Sequence, residues 1–256
     1  MEYRDRLYKT YFDSHYSQLG ERSGQDLRRS EEDIADQLAG SLPADPTARI
    51  LDLGCGTGAL LLFLKRKGYQ QIHGIDASPQ QVEQARRAGL PCVEEAEGIA
   101  YLGRHPEGFD LIVAFDVLEH LGKGEVLALL DAAHKALKPG GRLVLRTVNG
   151  AGLLAGRIIY GDFSHECAFT QVSLGQVLRV AGFSDLSFAP AYAASLKRGW
   201  RGWLRYSLWK FFEQVIKLYM HSTTGSGILH SGHIWTEEII AMAEKSPARD
   251  EPGRRG

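Results

Sequence analysis

Three glycines within five residues constrain this chain more than any other feature. The segment Ile-Leu-Asp-Leu-Gly-Cys-Gly-Thr-Gly spans residues 50 to 58. An apolar run precedes the glycines, and the helical pattern Leu60, Leu61 and Leu64 follows them. Glycine lacks a Cβ, so a loop built from it can turn sharply and let its backbone N–H groups approach a ligand. A strand, a glycine turn and a helix in that order open an α/β fold whose ligand sits at the carboxyl edge of the sheet.

The rest of the sequence continues that rhythm. Strands are expected at Ile50–Leu53, Ile72–Ile75, Cys92–Glu94, Leu111–Phe115, Leu143–Val148, Leu186–Phe188 and Glu238–Ala243. Helices are expected between them. One is capped by Ser78 with Pro79 in its first turn and ends at Gly89; another runs Glu125–Leu137; a third runs Thr170–Ala181 and closes at Gly182. The pattern predicts a Rossmann-like, doubly wound α/β fold: a mostly parallel seven-stranded sheet with helices on both faces and a helical insertion between strands six and seven. The expected divisions are an N-terminal helical cap at 1–46, the ligand-binding domain at 47–190, the insertion at 191–236, the closing strand at 237–245 and a disordered tail at 246–256.

At 256 residues, the chain suits one such domain with an insertion better than two domains. The formal net charge of -1 gives no general pull toward nucleic acid, so no nucleic-acid partner is expected. Cys55, Cys92 and Cys167 match neither a disulfide framework nor a zinc site. With no apolar leader and no apolar run near the ~20 residues of a membrane span, a cytoplasmic location is expected.

The spacing Gly54-x-Gly56-x-x-Ala59 also fits a nicotinamide-dinucleotide loop, so charge has to choose the ligand. Asp52 lies at the top of strand one beside the loop. A carboxylate there repels a pyrophosphate and suits an ammonium and a sulfonium. Asp76 ends strand two about 20 residues beyond the loop, where a ribose diol is held in such folds. Residues 50–58 resemble motif I of the class I S-adenosylmethionine-dependent methyltransferases, and the resemblance extends over about 48 to 190. Ile-His-Gly-Ile-Asp-Ala-Ser at 72–78 resembles the second motif, which implies that Asp76 and Ala77 meet the ribose. Val-Glu-Glu-Ala-Glu at 93–97 resembles the adenine-contacting segment, which implies roles for Glu95 and the Ala96 amide. Phe-Asp-Leu-Ile-Val-Ala-Phe-Asp-Val-Leu-Glu-His-Leu at 109–121 resembles the strand-four motif of the ubiquinone-biosynthesis-like branch, and Leu-Lys-Pro-Gly-Gly-Arg-Leu-Val-Leu at 137–145 its turn before strand five. The cofactor set thus implied is Asp52, Gly54, Cys55, Gly56, Thr57, Gly58, Asp76, Ala77, Glu95, Ala96 and Phe115. Tyr16, with Tyr11 and His15, is expected as a lid.

Transfer of a methyl group from a sulfonium is an in-line displacement that depends on alignment and exclusion of water, aided by a base when the acceptor is an alcohol. His165 is the leading candidate base, in the Gly-Asp-Phe-Ser-His-Glu loop after strand five; His120 and Glu166 are the others, and Asp162 is more distant. No Asn-Pro-Pro-Tyr-like segment follows strand four, which argues against a nucleobase nitrogen. No Cys-x-x-x-Cys-x-x-Cys run is present to hold an iron–sulfur cluster, and no Asp and His cluster has metal-ligand spacing, so no metal is expected. The expected reaction is O-methylation of a sugar, glycan precursor or other small-molecule hydroxyl. A nicotinamide-dependent oxidoreductase and a non-catalytic cofactor-binding scaffold are the alternatives. From 197 to 220, Trp, Leu and Phe residues are interleaved with Lys197, Arg198, Arg201, Arg205, Lys210 and Lys217, against the single acid Glu213. This predicts an amphipathic helix for an acceptor lid, a peripheral contact at the inner membrane face, or a homodimer.

Overall fold

The computed structural model describes Leu7 and residues 33–191, 199–224 and 234–247. Seven strands form one sheet: β1 (Arg49–Leu53), β2 (Gln71–Asp76), β3 (Val93–Glu95), β4 (Phe109–Phe115), β5 (Leu137–Val148), β6 (Ser184–Pro190) and β7 (Glu238–Glu244). Their order across the sheet is β3-β2-β1-β4-β5-β7-β6. β1 to β5 pair in parallel, while β7 runs antiparallel to both β5 and β6. This is the doubly wound, Rossmann-like arrangement expected. The winding reverses between β1 and β4, and a crevice opens there outside the carboxyl ends of the strands.

β1 and β4 sit at the centre because they are apolar on both faces; Ile50, Leu51, Leu111, Ile112 and Val113 are completely buried. The helices on the two faces are α1 (Ala59–Arg66), α2 (Pro79–Arg87), α3 (Gly98–Gly103), α4 (Lys123–Ala136), α5 (Ala155–Ile159) and α6 (Gln171–Val180), and α7 (Gly199–Thr224) lies in the connection from β6 to β7. Ser78 caps α2 by accepting from Gln81 N, with Pro79 in the first turn as expected. Thr170 caps α6 by accepting from Ser173 N. A helical turn at 33–37 puts Ile34 and Leu38 into the core beside Ile50.

Several boundaries differ from the sequence reading. β5 begins at Leu137, paired with Phe109, and the residues expected as a turn bulge out before pairing resumes at Arg142 opposite Leu111. α3 and α5 were not anticipated, since six and five residues hold too little periodicity to read. α3 forms because the Glu97 carboxylate accepts from the N–H groups of Ile99 and Ala100. Among the described residues, the 191–236 insertion holds one helix, the 26-residue α7. Tyr11, His15, Tyr16 and the rest of the expected cap before residue 33, apart from Leu7, fall outside the described residues. So does the tail from residue 248.

Gly58 and Gly68 both adopt left-handed φ, 86° and 92°, but a Cβ at Gly58 would approach Leu90 Cδ1 to 2.2 Å, whereas one at Gly68 meets nothing within 4 Å. Leu90 is buried and has little room to yield. Gly58→Ala is expected to cost about 2–5 kcal/mol, the backbone strain plus overpacking, and Gly68→Ala about 1–2 kcal/mol from strain alone. Urea unfolding midpoints of the two variants check this ordering; equal midpoints would show that the packing beneath the loop is misassigned.

Candidate active site

The glycine loop is fixed to the end of β2 by its own backbone. Gly54 N and Cys55 N both donate to Ile75 O, at 2.8 and 2.9 Å. Gly56 N donates to the Asp76 carboxylate at 2.9 Å, and Ser78 N donates to the other carboxylate oxygen at 2.8 Å. Asp76 therefore ties the loop after β1 to the turn after β2. The cleft that opens beside it has a volume of about 910 Å³ and is lined by Asp52, Gly54, Cys55, Gly56, Thr57, Asp76 and Ala77, with Phe115, His120 and His165 on its other walls. Those ten expected residues come together.

Four expected residues stand differently. Gly58 is not in the lining; it caps α1 and packs against Leu90. Ala96 lines the cleft, but its amide, expected to read an adenine ring, donates to Asp76 O at 3.1 Å. Glu95 is exposed at the end of β3 and outside the lining, where Glu97, Gly98 and Ile99 take its place. Glu166 is likewise exposed and outside the lining, because its neighbour His165 is the side chain that turns inward.

Acids dominate the cleft floor. Asp52 is buried at the top of β1, and burial, then the nearby Asp76 carboxylate, push its carboxyl up to about 8, with Arg146 opposing them. Burial also raises Asp76 against the hydrogen bonds from Ser78 and Gly56. The cation that offsets them is Arg146, inside β5, which the sequence reading did not single out. Its guanidinium takes the Asp116 carboxylate through Nε at 2.8 Å and also through Nη2, reaches Gln37 through Nη1 at 2.9 Å, and lies 4.8 Å from the centre of the Phe115 ring. Asp116 follows β4 with φ at 57°, a conformation costly for a non-glycine residue and concentrated at functional sites. An arginine inside the buried stretch Leu143–Val148 was the readable signal for this pair.

The two candidate histidines meet. His120 ends a single 3-10 turn after β4, whose Glu119 carbonyl accepts from Glu166 N at 2.7 Å and Cys167 N at 3.2 Å. That latch holds the loop after β5 against the turn, with the His120 and His165 rings 4.8 Å apart at 63°. His120 Nδ1 bonds Ser164 Oγ at 2.9 Å, and Ser164 Oγ donates to Asp162 at 2.6 Å. With the serine proton committed to Asp162, His120 Nδ1 carries the donated hydrogen. His165 Nδ1 faces the Ile158 carbonyl at 3.0 Å and must also be the donor there. Burial, then the neighbouring His165, lower His120 to about 4, and it is neutral at pH 7. Glu119 is buried, accepts from Thr147 Oγ1 at 2.9 Å, and is raised by burial and then by Asp116.

One candidate donor atom from each of Glu119, His120 and His165 lies within 4.8 Å of the others. The sequence alone gave no metal-ligand spacing; the fold assembles such a group from residues on two separate segments.

This chain belongs to a methyltransferase family, whose methyltransferase-domain model matches residues 26–187. It is 37% identical over 109 residues to the ubiquinone biosynthesis O-methyltransferase of Xylella fastidiosa, a stretch covering 40% of this chain and 42% of that protein. The chain thus spans about two-fifths of that relative's length. Its fold resembles that of an S-adenosylmethionine-dependent methyltransferase from Archaeoglobus fulgidus, with a TM-score of 0.61 and 20% identity over 86% of this chain and 97% of the other. It also resembles Haemonchus contortus phosphoethanolamine N-methyltransferase 2 in complex with S-adenosyl-L-methionine, with a TM-score of 0.58 and 17% identity over 93% and 60% of the chains.

The cleft fits that cofactor on its own chemistry: a buried carboxyl lacking its own ion pair among the described residues suits a cationic ligand, and the loop keeps its path because Gly54, Gly56 and Gly58 lack the Cβ atoms that would meet Val117, Gln81 and Leu90. A cation beside Asp52 stabilises the carboxylate, so below pH 8 binding releases a proton and affinity rises with pH until about 8. Calorimetric titration with S-adenosylmethionine at pH 7, in two buffers of different ionisation heat, is expected to show more proton release for the parent than for Asp52→Asn. The variant is also expected to bind about tenfold or more weakly. Equal proton release by both proteins would remove Asp52 from the cation site.

Proposed function

We propose that this chain methylates a hydroxyl oxygen of a small molecule, with His165 as the base and His120 as its neutral neighbour. The observation that carries this reading is the pair of imidazoles on the wall of the cleft formed by the glycine loop and Asp76, with His165 held through Nδ1 by the Ile158 carbonyl so that Nε2 is its nitrogen for the acceptor. Bound S-adenosylmethionine supplies a methyl group on a sulfonium, whose C–S bond breaks with its electron pair going to sulfur as the new C–O bond forms. His165 Nε2 takes the hydroxyl proton and passes it to solvent. The Glu119 carbonyl sets where His165 stands by holding the loop that carries it.

A volume of about 910 Å³ lies near the top of the range for small-molecule sites, leaving room for a second molecule beside a cofactor. Oxygen is supported by the relative named as an O-methyltransferase. The fold does not choose the atom, since an N-methyltransferase shares it. A sugar or glycan-precursor hydroxyl is the finer reading, and the volume left beside a cofactor is what supports it.

Turnover of labelled S-adenosylmethionine with phenols, catechols and sugars tests the reading. His165→Ala is expected to lose about 100-fold in kcat with cofactor affinity retained, the scale of a lost base. A loss of only a few-fold would reject His165. Activity abolished by a chelator and restored by a divalent cation would instead give the Glu119, His120 and His165 group the task of holding an ion.

A further inference from the structure

The chain leaves the sheet toward α7 on the same side as the cleft. β6 and β5 are both antiparallel to β7, so they run parallel to each other, and the chain departs β6 at the carboxyl edge where the cleft opens. The returning segment is fastened there too: Asn149 Nδ2 donates to Ile234 O and Thr236 O at 2.7 and 2.8 Å, and Glu238 lines the cleft.

The helix presents an apolar stripe to solvent. Trp200, Leu204, Leu208, Phe211, Val215 and Leu218 follow one another at intervals of three and four residues, which places them on one face, and all are exposed, Trp200 by 74% and Leu218 by 70%. Arg201 and Arg205 lie along one flank of that face, and Lys210 and Lys217 on the far side of the helix. Within α7, Arg201, Arg205, Lys210 and Lys217 stand against Glu213 alone, four positive charges to one negative, and Glu213 is itself paired with Lys210 and Lys217. The loop after β5 adds a second exposed apolar group at the cleft rim, with Tyr160 at 87% and Phe163 at 83%, beside the lining residues Arg157 and Asp162. Among the described residues no helix is long and apolar enough to cross a membrane. At 26 residues α7 is about 39 Å long, and Trp203, Phe212 and Tyr219 are exposed on its other flanks, so apolar and basic groups run along it together, a composition suited to a bilayer interface.

We propose that α7 docks the protein on an anionic lipid surface, with the tryptophans and leucines at the acyl boundary and the arginines among the headgroups. The cleft mouth, which opens at the same sheet edge, is thereby brought to the membrane. Charge chooses lipid over a second copy of the chain: two such basic helices would repel, whereas anionic headgroups attract each arginine. The inference is independent of the methyl-transfer reading, because vesicle binding needs no acceptor.

The test is flotation of the full chain with phosphatidylglycerol-containing vesicles and with pure phosphatidylcholine vesicles, each at low and high salt. The parent is expected to float with the anionic vesicles, less so at high salt, and about tenfold more weakly with the neutral ones. Phe211→Glu and the double variant Arg201→Glu/Arg205→Glu are each expected to lose about tenfold or more in anionic-vesicle affinity, with binding of S-adenosylhomocysteine unchanged. A parent that stays with the unbound protein under all four conditions overturns the proposal. So does light scattering that shows a dimer broken by Phe211→Glu in a protein without lipid affinity, which would assign the stripe to a second copy.

Discussion

The attachment of the glycine loop to the end of β2 underlies most of what this structure can do. Two loop N–H groups converge on the Ile75 carbonyl, and a third reaches the Asp76 carboxylate, which also holds Ser78 N. The backbone can follow that path because Gly54, Gly56 and Gly58 all take left-handed φ, where a side chain would be strained. At Gly54 and Gly58 a Cβ would also press into Val117 and Leu90. Drawn toward β2, the loop leaves the crevice between β1 and β4 open instead of closing across it, and α1 starts beside that opening.

The electrostatics follow from where the strands end. Asp52 and Asp76 are carried to the same edge by parallel neighbours, β1 and β2, Asp52 buried and Asp76 half-buried. Arg146 offsets part of that charge from β5, but its guanidinium is bonded to Asp116 and Gln37. The remaining deficit of positive charge at Asp52 is what a cationic ligand satisfies, and it distinguishes this cleft from one shaped for a pyrophosphate. On the opposite wall, the carboxylates at Asp162 and Glu119 act at one remove, the first by fixing the His120 tautomer through Ser164, the second by bonding Thr147 while its carbonyl holds the loop.

What could be read from the sequence was whatever local rules determine. The glycine loop, the Ser78 and Pro79 start of α2, the Thr170 cap of α6 and the buried run of β4 each carry their signal within a few residues. Their order gave the parallel sheet. The site was legible where one position per strand end is possible, as at Asp52 and Asp76. It was not legible where adjacent residues of the same kind compete. Glu95 and Glu97 are two residues apart, and only the cap of α3 decides which one sits beside the cleft. His165 and Glu166 alternate in direction, and the latch to Glu119 selects the histidine. The contact between His120 and His165 joins residues 45 positions apart, and the pairing of Asp116 with Arg146 is set by strand register. No pattern within one segment encodes either.

Fold, loop and charge together describe a cleft suited to a cationic nucleoside ligand, with a histidine pair on its wall. The most direct test of the central claim is an equilibrium titration of the full chain with S-adenosylhomocysteine and, separately, with NADH. Saturable binding of S-adenosylhomocysteine, abolished with loss of the loop path in Gly56→Val and unmatched by NADH, is the predicted result. Binding of NADH with no affinity for S-adenosylhomocysteine at millimolar ligand would contradict the account.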